Sequence, residues 1–380
     1  MPGTTSSRHL RSRRVPVSRR QLLAQPLKVA VAVLAVAAAV ALVLLLTGLR
    51  RGTGEQVTTY LDHQPPVLVG QTGARDFLSQ TSVLTDATVA RVRTSAGVAD
   101  ASPISEGYAM LNLHGKPILA VLVGSDLGRG GGPWSLAAGR KPHALGEVAL
   151  DRVLGAEHGL RVGSTLRFRG RDLPVVGLTR GTGGFMTPLA FTTRATANAL
   201  NAQPQTATFV LVTPKRGIAP AALTAALERD VPGISARLTT GVAGNDRALF
   251  VGAWSGPLFA MIAIAAAVAV MVIAVMVFAE TRDKAREYAT LKAIGMTRRG
   301  LLRVVAYQAT ALSLLGVAGG VLLALGASRG IGVLAPKYLI ALTSGDALLM
   351  AAFAFVFALV AGFVPARFLA NLDPMSAFRS

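Results

Sequence analysis

Cysteine occurs nowhere in the 380 residues, so disulfide staples and thiolate-held metal sites are both excluded. Charged residues are scarce, at 15%, and aromatic ones scarcer, at 6%. The phosphate-cradling string G-x-x-x-x-G-K-[ST] and the zinc-protease string H-E-x-x-H are missing. The nearest glycine-rich stretch, "GRGGGPW" from Gly128 to Trp134, lacks the lysine and the hydroxyl that hold phosphates and Mg²⁺, and it reads as a flexible loop. The histidines His9, His63, His114, His143 and His158 stand apart among Gly, Pro and polar residues without ligand spacing, and read as surface side chains. The chain is therefore expected to hold no catalytic site, cofactor or metal.

What is abundant is apolar. A hydrophobic share of 52% and a mean hydropathy of +0.50 mark a membrane protein. A spanning helix needs roughly 20 apolar residues, because each backbone polar group must be satisfied within the segment. Four runs qualify, and the spans are assigned to residues 29–49, 256–279, 304–327 and 347–366. Basic residues precede the first run as in a signal peptide. That run is long for one, however, and "TGLRRGTG" offers no A-x-A cleavage site, so an uncleaved anchor is expected. Ionisable side chains are almost absent from all four runs, which argues against a proton-coupled carrier.

Lysine and arginine near the helix ends set the orientation. Arg8, Arg11, Arg13, Arg14, Arg19, Arg20 and Lys28 precede the first span, which places residues 1–28 in the cytoplasm. Arg282, Lys284, Arg286, Lys292, Arg298, Arg299 and Arg303 place the 280–303 loop there too. Four spans then return the tail, 367–380, to the same side and leave 328–346 as a short outer loop.

Residues 50–251 must accordingly lie outside, a segment long enough for one core or two small ones. It holds 21 Lys and Arg against 14 Asp and Glu, within a total net charge of +20. Topology signals and contact with anionic membrane lipid account for this bias, and no nucleic-acid partner is expected. Its ends, 50–117 and 205–251, read as α/β. "RDFLSQTSVLTDATVARVRTSAGV" has helical spacing at Phe77, Val83, Leu84 and Val89, and "VADASPISEG" leads toward short strands. "ATFVLVTP" and "SARLTT" read as strands around a helix that starts near Pro220. Between these ends, 118–204 is a run of short alternating strands punctuated by Gly and Pro, read as an inserted β-rich subdomain.

Glu280 and Lys284 stand in the favourable i, i+4 order, "ETRDKAREYATLKAI" is rich in helix formers, and Gly295 is placed to stop the helix. Arg282, Arg286, Ala289 and Ala293 would share one face, two cations followed by a flat surface suited to docking. A solvated connector lying along the lipid headgroups fits the same spacing. In the third span Gly316 and Gly320 form a G-x-x-x-G, as do Gly326 and Gly330 near its outer end, a pattern for close helix approach, including a dimer seam.

Three stretches carry a resemblance. "REYATLKAIG", through Arg286, Glu287, Ala289, Lys292, Ala293, Ile294 and Gly295, resembles the R-E-[IV]-[AG]-x-x-[KR]-A-[IL]-G signature of FtsX-like ABC transporter permeases of the MacB type, with Tyr288 where an aliphatic residue is usual. "GFVPARFLANLDPMSAFR" is similar to that family's closing motif through Pro365, Ala366, Ala370, Asp373, Pro374, Ala377 and Arg379, with one residue more between Pro and Ala. "GEVALDRVLGAEHGLRVGSTLRFRGRDLPVVGL" looks like part of the MacB-type outer core.

The resemblance implies an α-helical membrane protein with four transmembrane helices and a large extracytoplasmic α+β domain, a MacB-type periplasmic core, carrying the β-rich insertion. It implies a permease subunit in the cytoplasmic membrane that works as a homodimer or a paralogous heterodimer. A separate cytoplasmic ATPase would dock on Arg282, Arg286, Glu287, Ala289, Thr290, Lys292, Ala293, Ile294, Gly295 and Met296, moving the outer domain to expel a lipophilic or peptide-like cargo. An extracytoplasmic adaptor or substrate protein would be a further partner. Two alternatives stay open: FtsX-like signalling to a cell-wall hydrolase, which the length of the outer segment weighs against, and a receptor or scaffold that uses no ATPase.

Overall fold

The computed structural model describes residues 26–79, 82–113, 116–184, 188–202, 205–283 and 297–356. Helix α1, Pro26–Asp62, leads into β1, Val67–Gln71, and β2, Leu84–Thr85. Then come α2, Asp86–Thr94, and the long hairpin of β3, Val98–Leu113, and β4, Lys116–Ser125. The middle of the chain contributes β5, Leu136–Gly139; β6, Val148–Asp151; α3, Arg152–Glu157; β7, Thr165–Phe168; β8, Arg171–Thr179; and β9, Leu189–Thr193. It continues through α4, Arg194–Asn201; β10, Thr206–Ala207; β11, Phe209–Pro214; α5, Pro220–Asp230; and β12, Ile234–Leu238. Three apolar helices follow: α6, Thr239–Asp283; α7, Arg298–Leu334; and α8, Ser344–Val356.

Two compact units emerge. One gathers the apolar parts of α1 up to Thr47, α6 from Ala260, α7 up to Ser328, and α8. The other comprises Gly48–Phe259 with Arg329–Ala341.

In the second unit the strand order is β12-β1-β11-β3-β4-β9-β6-β8-β5, with β7 paired to β8, in a single ten-stranded sheet. The β4–β9 and β6–β8 pairs are parallel and the rest antiparallel. Strand alternation divides the sheet's side chains between two faces. On one face Leu68, Ile104, Val121, Val123, Phe191, Phe209 and Leu211 form a core with Val57, Tyr60 and Leu61 of α1 and Val242 and Ala243 of α6. The other face carries two separate cores. Val67, Val69, Val210 and Val212 pack with Val89 and Val92 of α2 and Leu223 and Leu227 of α5. Ala120, Leu122, Val148, Leu150 and Ala190 pack with Leu154 of α3 and Ala197 and Leu200 of α4.

The α/β and β-rich parts read from sequence thus have cores of their own on one face but share one sheet and one core on the other. The hairpin of β3 and β4 joins them, because β3 runs 16 residues without a break where short strands were expected. Local capping sets the helices that cover the sheet. Thr85 accepts from the Thr88 amide, Asp151 from those of Val153 and Leu154, and Thr193 from that of Thr196. Pro220 opens α5, where its missing N–H costs nothing.

Three expectations change. The helix foreseen around Phe77, Val83, Leu84 and Val89 begins only at Asp86, after its Thr85 cap. Phe77 instead lies in a loop whose amide, like that of Leu78, donates to the Asp246 carboxylate of α6. The flexible loop at Gly128–Trp134 is docked: Tyr60 Oη donates to the Gly131 carbonyl at 2.9 Å, the Gly131 amide donates to Gln64 Oε1, and the Gly130 amide donates to Ser102 Oγ. Gly131 is required there, since its φ is +92° and a Cβ would stand 2.3 Å from Ile104 Cγ2.

The third change concerns the spans. Among the described residues two helical stretches, Val29–Asp62 and Thr310–Leu334, are long and apolar enough to cross a membrane, and α6 makes a third if its parts on either side of a break at Ser255 act as one. Pro257, inside α6, removes an amide donor near that break. Helix α8, Ser344–Val356, is apolar but shorter, and the expected 347–366 span runs past the described residues. Helix α7 starts at Arg298, so the 280–303 segment ends in helix rather than in a loop.

Candidate functional site

Among the described residues no group of His, Cys, Asp or Glu is arranged to hold a metal ion. The string Gly326-Ala327-Ser328-Arg329-Gly330 spells G-x-S-x-G. It lies inside α7, with Ser328 Oγ donating to the Leu325 carbonyl at 2.9 Å, and not on the strand–turn–helix elbow that would expose a nucleophile. The places where side chains converge are mechanical instead.

The first is the seam between the sheet and the outer segments of α1 and α6. Tyr60 of α1 stacks on Phe77 with ring centroids 4.9 Å apart, and Trp134 meets Phe191 edge-on at 6.1 Å. His63 lies flat on Trp134 at 4.3 Å, with Nδ1 2.8 Å from the Thr59 carbonyl. These rings supply large buried area together with directional contact. Burial holds the Tyr60 phenol well above its usual range, so it stays a hydrogen-bond donor.

The second is the connection after α7. Lys337 Nζ stands 3.2 Å from Glu157 Oε1 of α3, the Lys337 carbonyl accepts from Gln56 Nε2 of α1, and the Ala341 amide donates to Gly48 O. This strap borders an open depression of about 610 Å³ lined by Pro117, Leu119, Asp151, Glu157, Gly183 and Lys337, among others.

The third is helix packing in the apolar unit. A Cβ on Gly316 would come within 2.4 Å of Val36 Cγ1, and one on Gly320 within 2.8 Å of Val40 Cβ and 2.9 Å of the Ala37 carbonyl. Both glycines therefore let α7 approach α1 of the same chain. Gly326 and Gly330 meet nothing within 4 Å. Val36, Val40, Ala41, Leu44, Val317, Ala324 and Ala354 make up the buried core here.

Of the residues foreseen for docking an ATPase, Arg282 is exposed in the last turn of α6. Arg286, Glu287, Ala289, Thr290, Lys292, Ala293, Ile294, Gly295 and Met296 lie outside the described residues. The seam, the strap and a clamp in the β-rich part escaped sequence reasoning. In that clamp Arg140 donates to Glu147 through Nη1 and Nη2, while the His143 and Ala144 amides donate to the same carboxylate. The Arg140 bond above all holds the Glu147 carboxyl well below its usual range. A short string "GRKPHALGE" gives no hint that its ends meet.

Residues 29–230 match the MacB-like periplasmic core domain, and residues 259–374 the FtsX-like permease C-terminal domain. The chain belongs to the FtsX/MacB family of ABC transporter permeases. An uncharacterized ABC transporter permease of Mycobacterium tuberculosis is 25% identical over 364 residues, covering 92% of this chain and 95% of its own length. The pyoverdine export ATP-binding/permease protein of Pseudomonas syringae pv. tomato is 36% identical over 99 residues, which is 26% of this chain and 15% of that protein. Among solved structures, the periplasmic region of MacB from Actinobacillus actinomycetemcomitans aligns over 47% of this chain and 91% of its own, at 13% identity and a TM-score of 0.37. The extracellular domain of the ABC-type transporter YknZ from Gram-positive bacteria covers 45% and 98%, at 9% identity and a TM-score of 0.36. As a family member the chain is a membrane permease with an α+β outer core.

Proposed function

We propose that this permease converts ATP hydrolysis by a separate cytoplasmic subunit into motion of its outer domain, expelling or handing over a lipophilic or peptide-like cargo. The observation that carries the reading is the construction of α1 and α6. Each has an apolar, span-like segment at one end and, at the other, residues that belong to the aromatic seam core: Val57, Tyr60 and Leu61 in α1, Val242 and Ala243 in α6. A push on α1, which runs as one helix from Pro26 to Asp62, would reach the sheet through packed rings rather than through a loop.

In this reading the chain crosses the cytoplasmic membrane four times, the fourth crossing completed beyond α8, with both termini inside. The loop from Arg282 to Met296 is the coupling helix, and its basic residues keep it cytoplasmic while Arg286, Glu287 and Ala293 present the docking face. Two copies, or this chain and a paralogue, form the working dimer, and an adaptor or substrate protein meets the outer domain.

The test is co-purification of ATPase activity from the native host in detergent, comparing wild type with Glu287→Arg and Ala293→Trp. Binding to wild type and loss from both variants, with elution profiles unchanged, is the expected result. Full retention by both variants, or no ATPase bound to wild type, would overturn the coupling assignment.

A further inference from the structure

Two carboxyls are buried in the aromatic seam, and one of them holds an oxygen without a hydrogen-bond partner. Glu106 follows Ile104 by two residues on β3, so alternation turns both toward the seam. Its neighbours face the other way: Ser105 Oγ donates to Asn198 of α4, and Gly107 stands against the Asn201 side chain. Glu106 is only 8% exposed, and its Oε1 is buried without a hydrogen-bond partner. Asp246, 1% exposed, reaches in from α6 and accepts from the amides of Phe77 and Leu78. Neither carboxyl forms an ion pair among the described residues.

The groups close enough for their charges to act on this pair are themselves acidic or phenolic. Tyr60 faces Glu106 from α1, Tyr108 faces both acids from β3, and Asp76 faces Asp246 from the loop after β1. A lone carboxylate oxygen in an apolar seam loses its hydration and gains nothing in return, whereas a neutral carboxyl fits.

We propose that Glu106, backed by Asp246, is a proton-operated latch: neutral carboxyls keep the outer segments of α1 and α6 seated on the sheet, and their ionisation unseats them. Burial, and then the charge of Asp246, pushes Glu106 up to about 8, while burial pushes Asp246 up to about 7. A carboxyl raised in the folded state stabilises it fully at pH below the ordinary carboxylate range. That stabilisation is lost as pH climbs through the raised value, so the latch is shut toward acid and released between about 7 and about 8. A domain outside the membrane meets pH that the cytoplasm does not buffer. The latch concerns the outer domain alone and stands whether or not an ATPase drives the helices.

The absence of cysteine makes the test direct. In the full-length chain in detergent, Ala90→Cys on α2 and Ala248→Cys on α6, both exposed positions, take spin labels for pulsed distance measurement. The distance distribution is expected to lengthen between about pH 6 and about pH 9, with Glu106→Gln abolishing the shift and Asp246→Asn shrinking it. His63→Gln, which removes the titratable ring on Trp134, should leave the shift intact. A distribution that stays still in the Glu106 chain overturns the latch without need of any variant. A shift that survives Glu106→Gln, or that vanishes with His63→Gln, overturns it as well.

Discussion

The apolar helical unit and the aromatic seam are both tightly packed, yet they are packed by opposite means. The helical core is aliphatic, mostly Val and Ala, with Gly316 and Gly320 bringing α7 onto Val36, Ala37 and Val40. The seam is built from Tyr60, Phe77, Trp134, Phe191 and Phe209. Lipid is as apolar as any side chain, so helices within it gain nothing by burying more carbon and depend on close approach. In water the reverse holds, because each aromatic ring removes a large area from solvent. The helical unit should therefore break when atoms are added, and the seam when atoms are removed.

The largest expected effect follows from adding. Gly316→Leu places a branched side chain where even a Cβ lies 2.4 Å from Val36, and the backbone of α1 must shift to admit it. Loss of monodisperse protein in detergent is the expected outcome, read by size-exclusion yield; near-normal yield would mean that α7 and α1 do not meet this way.

Next comes removal. Phe209 is 1% exposed and packs 5.4 Å from Phe77, so Phe209→Ala should cost the outer domain about 3–5 kcal/mol. Thermal unfolding followed at the outer-domain transition checks this. A cost no larger than that of an exposed change such as Met110→Ala would mean that the seam is not held by its rings.

The smallest effect sharpens the contrast. Gly326→Ala adds one methyl to α7 where nothing stands within 4 Å, so stability should stay within roughly 0.5 kcal/mol or improve slightly. If it damaged the protein as Gly316→Leu does, the G-x-x-x-G spacing itself, and not local proximity, would govern packing.

Sequence alone determined the membrane class, the position of the long apolar runs, the α/β character of the outer segment and the family. These depend on run length, period and contiguous motifs, which are local properties of the chain. Tertiary structure decided the rest. Period-2 patterning shows that Ile104 and Glu106 share a face but not which face is covered, and so could not reveal a carboxyl sealed beneath α1 and α6. The two G-x-x-x-G strings look alike in the sequence, yet only Gly316 and Gly320 lie against Val36, Ala37 and Val40, because which side of α7 meets a neighbour depends on residues far away in the chain. The docked Gly128–Trp134 loop, the Lys337–Glu157 strap and the seam each join segments many residues apart, contacts that chain folding creates and that no local pattern encodes.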